Sequence, residues 1–299
     1  MTLMPRITIR NAMQEDFDEV YPLLRCFTGS NLPRENWRAI FNSPFNSPMD
    51  HVGFLLRDND KAVGFMGCIF SRRSIRGREF DFCNLSSWIV LPDYRKYSML
   101  FMRRLAELDS CVLTSLTPSE KVYKLFMRSG YKQVDRQYYA IPPLPFGSLH
   151  EPSVRVTSEH NELAERLTGD SLRNWNDHRN LDCRHFLLES EGETCHVVCA
   201  KRYKRAPGLR LKNIPVAVMH HASNPGLVSR SINTITRKLC LRMRAALVIS
   251  DSRFIGLPSV PFSLTKPAPR LYRPCKDQPF EFAPHEVDNL YSEYMLLHF

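Results

Sequence analysis

Three prolines in four positions, Pro142, Pro143 and Pro145, interrupt this 299-residue chain near its middle. Proline has no N–H and a fixed φ, so neither a helix interior nor a central strand runs through such a segment. The chain is therefore expected to divide into residues 1–141, a proline-rich linker at 142–150, and residues 151–299. Each long part has the size of an ordinary domain.

The first half has a legible order of elements. Ile7–Arg10 alternates like a strand. Asp16, with Glu19 three residues on, has the pattern of a capping box before Phe17, Val20, Tyr21 and Leu24 at helical spacing. A second helix is predicted at Arg34–Phe41. His51–Arg57 and Ala62–Ser71 form a hairpin about Asp58-Asn59-Asp60, and a third strand, Glu79–Val90, follows the turn at Gly77. The period then changes. Leu100, Phe101, Leu105 and Leu108 make the apolar face of a helix starting near Lys96. Cys111–Leu116 is a short buried strand. Thr117-Pro118-Ser119-Glu120 starts another helix, with Val122, Leu125 and Phe126 inward and Gly130 at its end. Tyr131–Ala140 is the last strand. The order β-α-α-β-β-β-α-β-α-β implies one locally parallel pair inside a mostly antiparallel sheet, a pair able to splay into a cleft.

Leu85–Arg104 carries the chemistry. A strand ends at Val90, Pro92 stops it, and Arg95 and Lys96 stand at a helix start. Free amides, the positive end of the helix dipole and two cations suit a pyrophosphate. A strand-to-helix turn with merely solvated cations is the alternative on local grounds.

Over residues 5–140 the chain resembles the GNAT acyl-CoA N-acyltransferase family. The resemblance lies in the opening Ile-Arg with its acidic helix and the hairpin with Gly64. It continues in Val90-x-Pro92-x-Tyr94-Arg95 and Leu125-Phe126-x-x-x-Gly130-Tyr131. It implies an α+β fold, each domain a mixed, mostly antiparallel sheet flanked by helices. It further implies an acyl-CoA donor, acetyl-CoA or a longer thioester, and no metal. The strand at Asn84–Val90 would pair with the pantetheine arm, and the turn Arg95-x-x-Ser98-x-Leu100 would cradle the pyrophosphate. The implied coenzyme contacts are Ser87, Trp88, Ile89, Val90, Arg95, Lys96, Tyr97, Ser98, Met99 and Leu100. Ser98 and Leu100 stand where the family has glycines.

Attack of an amine on a thioester needs a base, a donor to the carbonyl oxygen and an acid for the thiolate. Phe126 occupies the position where many family members carry an acidic Tyr. Tyr123 and Ser119 are the candidate substitutes, with Asn84 on the central strand. Asn84, Ser86 and Ser87 are poor bases alone, Glu79 and Asp81 lie near the strand's start, and Cys83 reads first as a structural thiol.

The second half repeats the order loosely: a hairpin of His185–Glu189 and Thr194–Arg202, a strand at Ile214–Ala222, a basic helix over Ser229–Met243 and a strand at Ala246–Ser250. This spacing predicts a tandem, degenerate copy without the pyrophosphate signature, shaping the acceptor site. His220-His221, Asp177-His178 and His185 match no established metal spacing. Asp251-Ser252-Arg253 and Asp288–Glu293 read as polar element ends with turn and cap chemistry.

Net charge is +10, split as 20 Lys+Arg against 15 Asp+Glu before residue 150 and 21 against 16 after it. Such an even excess suits an anionic coenzyme and argues against a nucleic-acid stripe. Nine scattered cysteines suggest reduced thiols. No apolar run is long enough for a membrane span, and Met1–Arg10 lacks a signal-peptide pattern, so a cytoplasmic enzyme acting on a small amine, an amino sugar or amino acid derivative, is expected. A non-catalytic scaffold with this fold, or acylation of a protein or aminoacyl-tRNA, are the alternatives.

Overall fold

The computed structural model describes residues 6–27, 32–144, 151–204, 213–256 and 262–298. Met1–Pro5 and residues 145–150 of the expected linker lie outside them.

In the first half, β1 (Ile7–Ala12), β2 (Gly53–Asp58), β3 (Lys61–Ile75) and β4 (Arg78–Val90) form an antiparallel meander, and β5 (Val112–Ser115) joins β4 in parallel. Helices α1 (Phe17–Leu24) and α2 (Arg34–Phe41) cover one face, and α3 (Met99–Ala106) and α4 (Glu120–Arg128) cover the other. β6 (Lys132–Ile141) is the last strand of this half in the sequence.

The second half repeats the plan with β7 (Arg155–Thr157), α5 (His160–Arg166), α6 (Gly169–His178), β8 (Arg184–Ser190), β9 (Glu193–Lys204) and β10 (Ile214–Ala222). It continues through α7 (Pro225–Arg230), α8 (Ile232–Met243), β11 (Leu247–Asp251), α9 (Ser252–Ile255) and β12 (Leu264–Arg273), and α10 (Glu293–Leu296) follows near the C-terminus. β10 and β11 pair in parallel, as β4 and β5 do.

The twelve strands among the described residues form one sheet in the order β1-β2-β3-β4-β5-β12-β6-β11-β10-β9-β8-β7. The halves thus exchange their last strands. β12 lies between β5 and β6, and β6 lies between β12 and β11. Pro267 and Pro269 are tolerated because β12 meets β5 only at Leu271–Arg273, so the prolines stand where one edge has no strand to serve. The tail crosses back as well: Leu290, Tyr291, Met295, Leu296 and Leu297 pack with α1 and α2 in the first half's core.

Local capping departs from expectation at three places. Asp16 spends its carboxylate on Arg10 and on the Met13 N–H instead of the helix amides that follow. Ser119, not Thr117, caps α4, accepting from the Val122 N–H, which moves the helix start to Glu120. The helix expected near Lys96 begins at Met99, because Pro92–Tyr97 winds as a 3₁₀ turn that Pro92 initiates. The basic helix of the second half is split at Ser231 into α7 and α8.

Candidate active site

β4 and β5 are paired only at Phe82–Asn84 against Val112–Thr114. Beyond that rung the strands part. A cleft of about 470 Å³ opens between them, walled by Leu85, Ser86, Ser87 and Trp88 on one side and by Ser115, Thr117, Pro118 and Ser119 on the other. Phe126 and Val122 of α4 close one side, and Phe27 and Trp37, stacked at 5.7 Å, close another.

The departure of β4 has a local cause. Its register with β3 slips between Phe65–Ile89 and Gly67–Ser86, and Ser87 sits in the left-handed region at φ 54°. A bulge of this kind bends the strand and frees backbone groups from the ladder. A non-glycine residue at positive φ costs about 1 kcal/mol and persists where its surroundings enforce it. The bulge turns Trp88 toward the helices, where its ring lies 6.0 Å from Phe126 and 6.2 Å from Phe101.

At the outer end of β4 the 3₁₀ turn is pinned to the β2–β3 hairpin by the Tyr94 hydroxyl, which donates to Asp58 at 2.8 Å. Arg95 and Lys96 are exposed on this turn, and among the described residues neither is ion-paired to a carboxylate; the Lys96 ammonium stands over the Tyr97 ring. As at any α-helix start, the amides of Met99 and Leu100 lack intrahelical acceptors. The Ser98 N–H and hydroxyl are both spent on the Arg95 carbonyl. Leu100 packs against the core beneath α3, and Met99 is exposed. Ile89 and Val90 continue β4 toward this turn, paired with Phe65 and Gly64.

The sequence-derived residues are thus only partly brought together. Ser87, Trp88 and Ser119 line the cleft. Asn84 is outside the lining, buried at the last rung before the strands part, and donates to the Thr114 hydroxyl at 3.0 Å. Tyr123 is outside the lining and donates its hydroxyl to Gln133 of β6. Phe126 is buried in a stack with Tyr131, with ring centroids 4.4 Å apart. Glu79 and Asp81 are engaged by Arg173 and Arg72. Burial pushes the Cys83 thiol far above its ordinary value, which leaves it protonated and unreactive. Ser115 and Thr117, which sequence reasoning did not single out as site residues, form the β5 wall. Their signal was position, at the end of a strand expected to pair in parallel.

The second half has the same splay, but it is filled. β10 bulges between Met219 and His221 where β4 bulges at Ser87, and its pairing with β11 ends at Met219–Ser250. Asn289 occupies the gap beyond: its N–H donates to the His220 carbonyl at 3.1 Å, and its side-chain amide donates to Asp251 at 3.0 Å. Asp288 beside it is bonded to Arg73 at 2.8 Å and to His221 at 3.1 Å. The chain's own tail therefore takes the place between the strands that stands open in the first half.

Among solved structures, the chain is similar to a GCN5-related N-acetyltransferase from Anabaena variabilis, at 14% identity and TM-score 0.54, covering 90% of this chain and 72% of that one. A GCN5-related N-acetyltransferase from Kribbella flavida gives 14% identity and TM-score 0.52, with 91% and 72% covered. A glucosamine N-acetyltransferase region of a fungal β-N-acetylglucosaminidase gives 12% and 0.54, with 91% and 38% covered. No family model matches the sequence, and no curated protein matches it. At these identities the likeness is one of fold. The chain has the GCN5-related N-acetyltransferase fold, a mixed, mostly antiparallel sheet flanked by helices.

Proposed function

We propose that this chain is an acyl-CoA-dependent N-acyltransferase with one working site, the cleft between β4 and β5. The observation that carries the reading is a parallel pair that splays at a bulge and opens a cleft, with two cations at the outer end of the same strand that no carboxylate pairs among the described residues. A pantetheine arm needs a strand edge for its amides, and a pyrophosphate needs amides with positive charge. Both are present in that order along β4 and its turn. The acceptor is a small amine entering past Phe27 and Trp37, with an amino sugar or amino acid derivative as the class to try first.

Cleft residues supply recognisable parts. Amides freed at the Ser87 bulge are suited to polarise the thioester carbonyl. Ser119 in the cleft wall is better suited than Tyr123 to hydrogen-bond the leaving thiolate, since the Tyr123 hydroxyl is committed to Gln133. Phe126 favours a second reading, a coenzyme-binding protein without turnover, since its ring carries no proton to donate.

Calorimetric titration with acetyl-CoA and with longer acyl-CoAs tests the binding step. Micromolar affinity is expected, with Arg95→Ala weakening it about tenfold, or ~1.4 kcal/mol. An unchanged affinity would mean that Arg95 is only solvated. Because the tail fills the second splay, one coenzyme per chain is expected, and a stoichiometry of two would refute the single-site reading. Release of CoA in the presence of an amine panel then separates enzyme from binding protein.

A further inference from the structure

Among the described residues, the cleft walls present hydroxyls but no base, and beneath them lies a carboxylate from the far end of the chain. Glu293, at the start of α10, is 1% exposed. Its Oε1 accepts a hydrogen bond from the Thr117 hydroxyl at 2.7 Å, and Thr117 lines the cleft. Its backbone N–H is held by the Asn84 side-chain oxygen at 3.4 Å, at the last rung before β4 and β5 part. Its second oxygen, Oε2, is buried without a hydrogen-bond partner among the described residues. A buried carboxylate normally has its oxygens satisfied, so one left bare beside a cleft asks for a role.

We infer that Glu293 is the proton acceptor for acyl transfer in this cleft, reached through the hydroxyl of Thr117. The inference rests on the acyltransferase reading above. As the amine nitrogen bonds to the thioester carbonyl carbon, it gives a proton to Thr117 Oγ1, which passes its own proton to Glu293 Oε1. Collapse breaks the carbon–sulfur bond, the thiolate leaves with the electron pair, and the proton returns to it by the same route. The tail of the second half therefore completes the site of the first.

The surroundings support the role. Burial pushes the Glu293 carboxyl above the ordinary carboxylate range, although the hydrogen bond from Thr117 and, less, Arg270 of β12 and the Asn84 side chain draw it down. Tyr294 on the same helix faces Arg270 as well, its ring 5.2 Å from the guanidinium, and Asp251 of β11 neutralises that Arg from the other side. A base acts in its deprotonated form. Activity limited by Glu293 thus falls as pH drops through a value above that of a free carboxylate.

The test compares the full-length wild type with Glu293→Gln, Thr117→Val and Thr117→Ser, using acetyl-CoA and the best acceptor from a panel of amino sugars, amino acids and polyamines. Glu293→Gln and Thr117→Val should each lower kcat about 100-fold while acetyl-CoA affinity stays within twofold. Thr117→Ser should restore most of the rate, and Glu293→Gln should lose the acidic limb of the kcat/KM profile. A Glu293→Gln enzyme with kcat within threefold of wild type and the same acidic limb overturns the inference and leaves the acyltransferase reading standing. A wild type that binds acetyl-CoA but acylates nothing, or that does not bind it, overturns both.

Discussion

Replacing Asp251 with alanine should destabilise the protein by about 3–5 kcal/mol, the cost of leaving buried guanidinium groups without their carboxylate. Asp251 at the end of β11 meets Arg253 at 3.1 Å and Arg270 at 3.1 Å, and it accepts from the Asn289 amide at 3.0 Å. Asp135 of β6 completes the cluster, bonded to the Arg253 backbone N–H at 3.0 Å and to its guanidinium at 3.3 Å. Two carboxylates and two guanidiniums balance in charge, and the two Asp–Arg contacts of Arg253 are almost wholly excluded from solvent. The cluster ties β6, β11, α9, β12 and the tail together, which are the elements through which the halves are exchanged. Thermal and urea unfolding of Asp251→Ala would read the loss, with the melting temperature down on the order of 10 °C. Asp251→Asn, which keeps the hydrogen-bonding shape, should lose less. A change below ~1 kcal/mol for Asp251→Ala would show that solvent reaches the site and screens it.

Acid should unfold the protein well above the pH at which its carboxylates titrate. His185 and His220 are buried, and desolvation lowers each to about 3. His196 is lowered as well, by burial and by neighbouring His221 and His185. His185 Nδ1 and His196 Nε2 are 2.9 Å apart, a contact that works with one donor and one acceptor and fails when both nitrogens carry protons. The unfolded chain takes up these protons near pH 6.5 while the folded chain refuses them. Stability is thus full above that pH and falls as pH drops from 6.5 toward 3. At pH 5 the loss is about 2 kcal/mol per histidine, roughly 4 kcal/mol for His185 and His220 together. Asp288, lowered to about 2 against Arg73 and His221, adds a further loss below about pH 4, since its contribution disappears as pH falls through its folded value. Urea midpoints at pH 7.5 and 5.0 measure the effect, and a His185→Gln, His220→Gln double variant should flatten the slope. Equal midpoints for wild type at the two pH values would contradict neutral burial of these rings.

The sequence by itself determined the local elements, because periodicity, prolines and turn residues act within a few positions. The β2–β3 hairpin, the change of period after Val90 and the short strand before Pro118 were all legible. So were the parallel pair of β4 and β5 and the strand, basic helix and strand that follow Ile214. Cap identity was less so: Thr117 and Ser119 both carry a hydroxyl, and only packing decided that Ser119 caps α4 while Thr117 faces the cleft. Tertiary structure alone decided the exchange of β6 and β12, since two alternating strands of similar length offer the same edge to either half. It also decided the fate of the two splays. Nothing in Asp288–Glu293 distinguishes it from an ordinary chain end until folding carries it across the sheet. There Asn289 fills one gap, and Glu293 meets Thr117, 176 residues away in sequence, beneath the other. Hydrogen bonds over such separations depend on where the whole sheet places each strand end, and no local pattern encodes that.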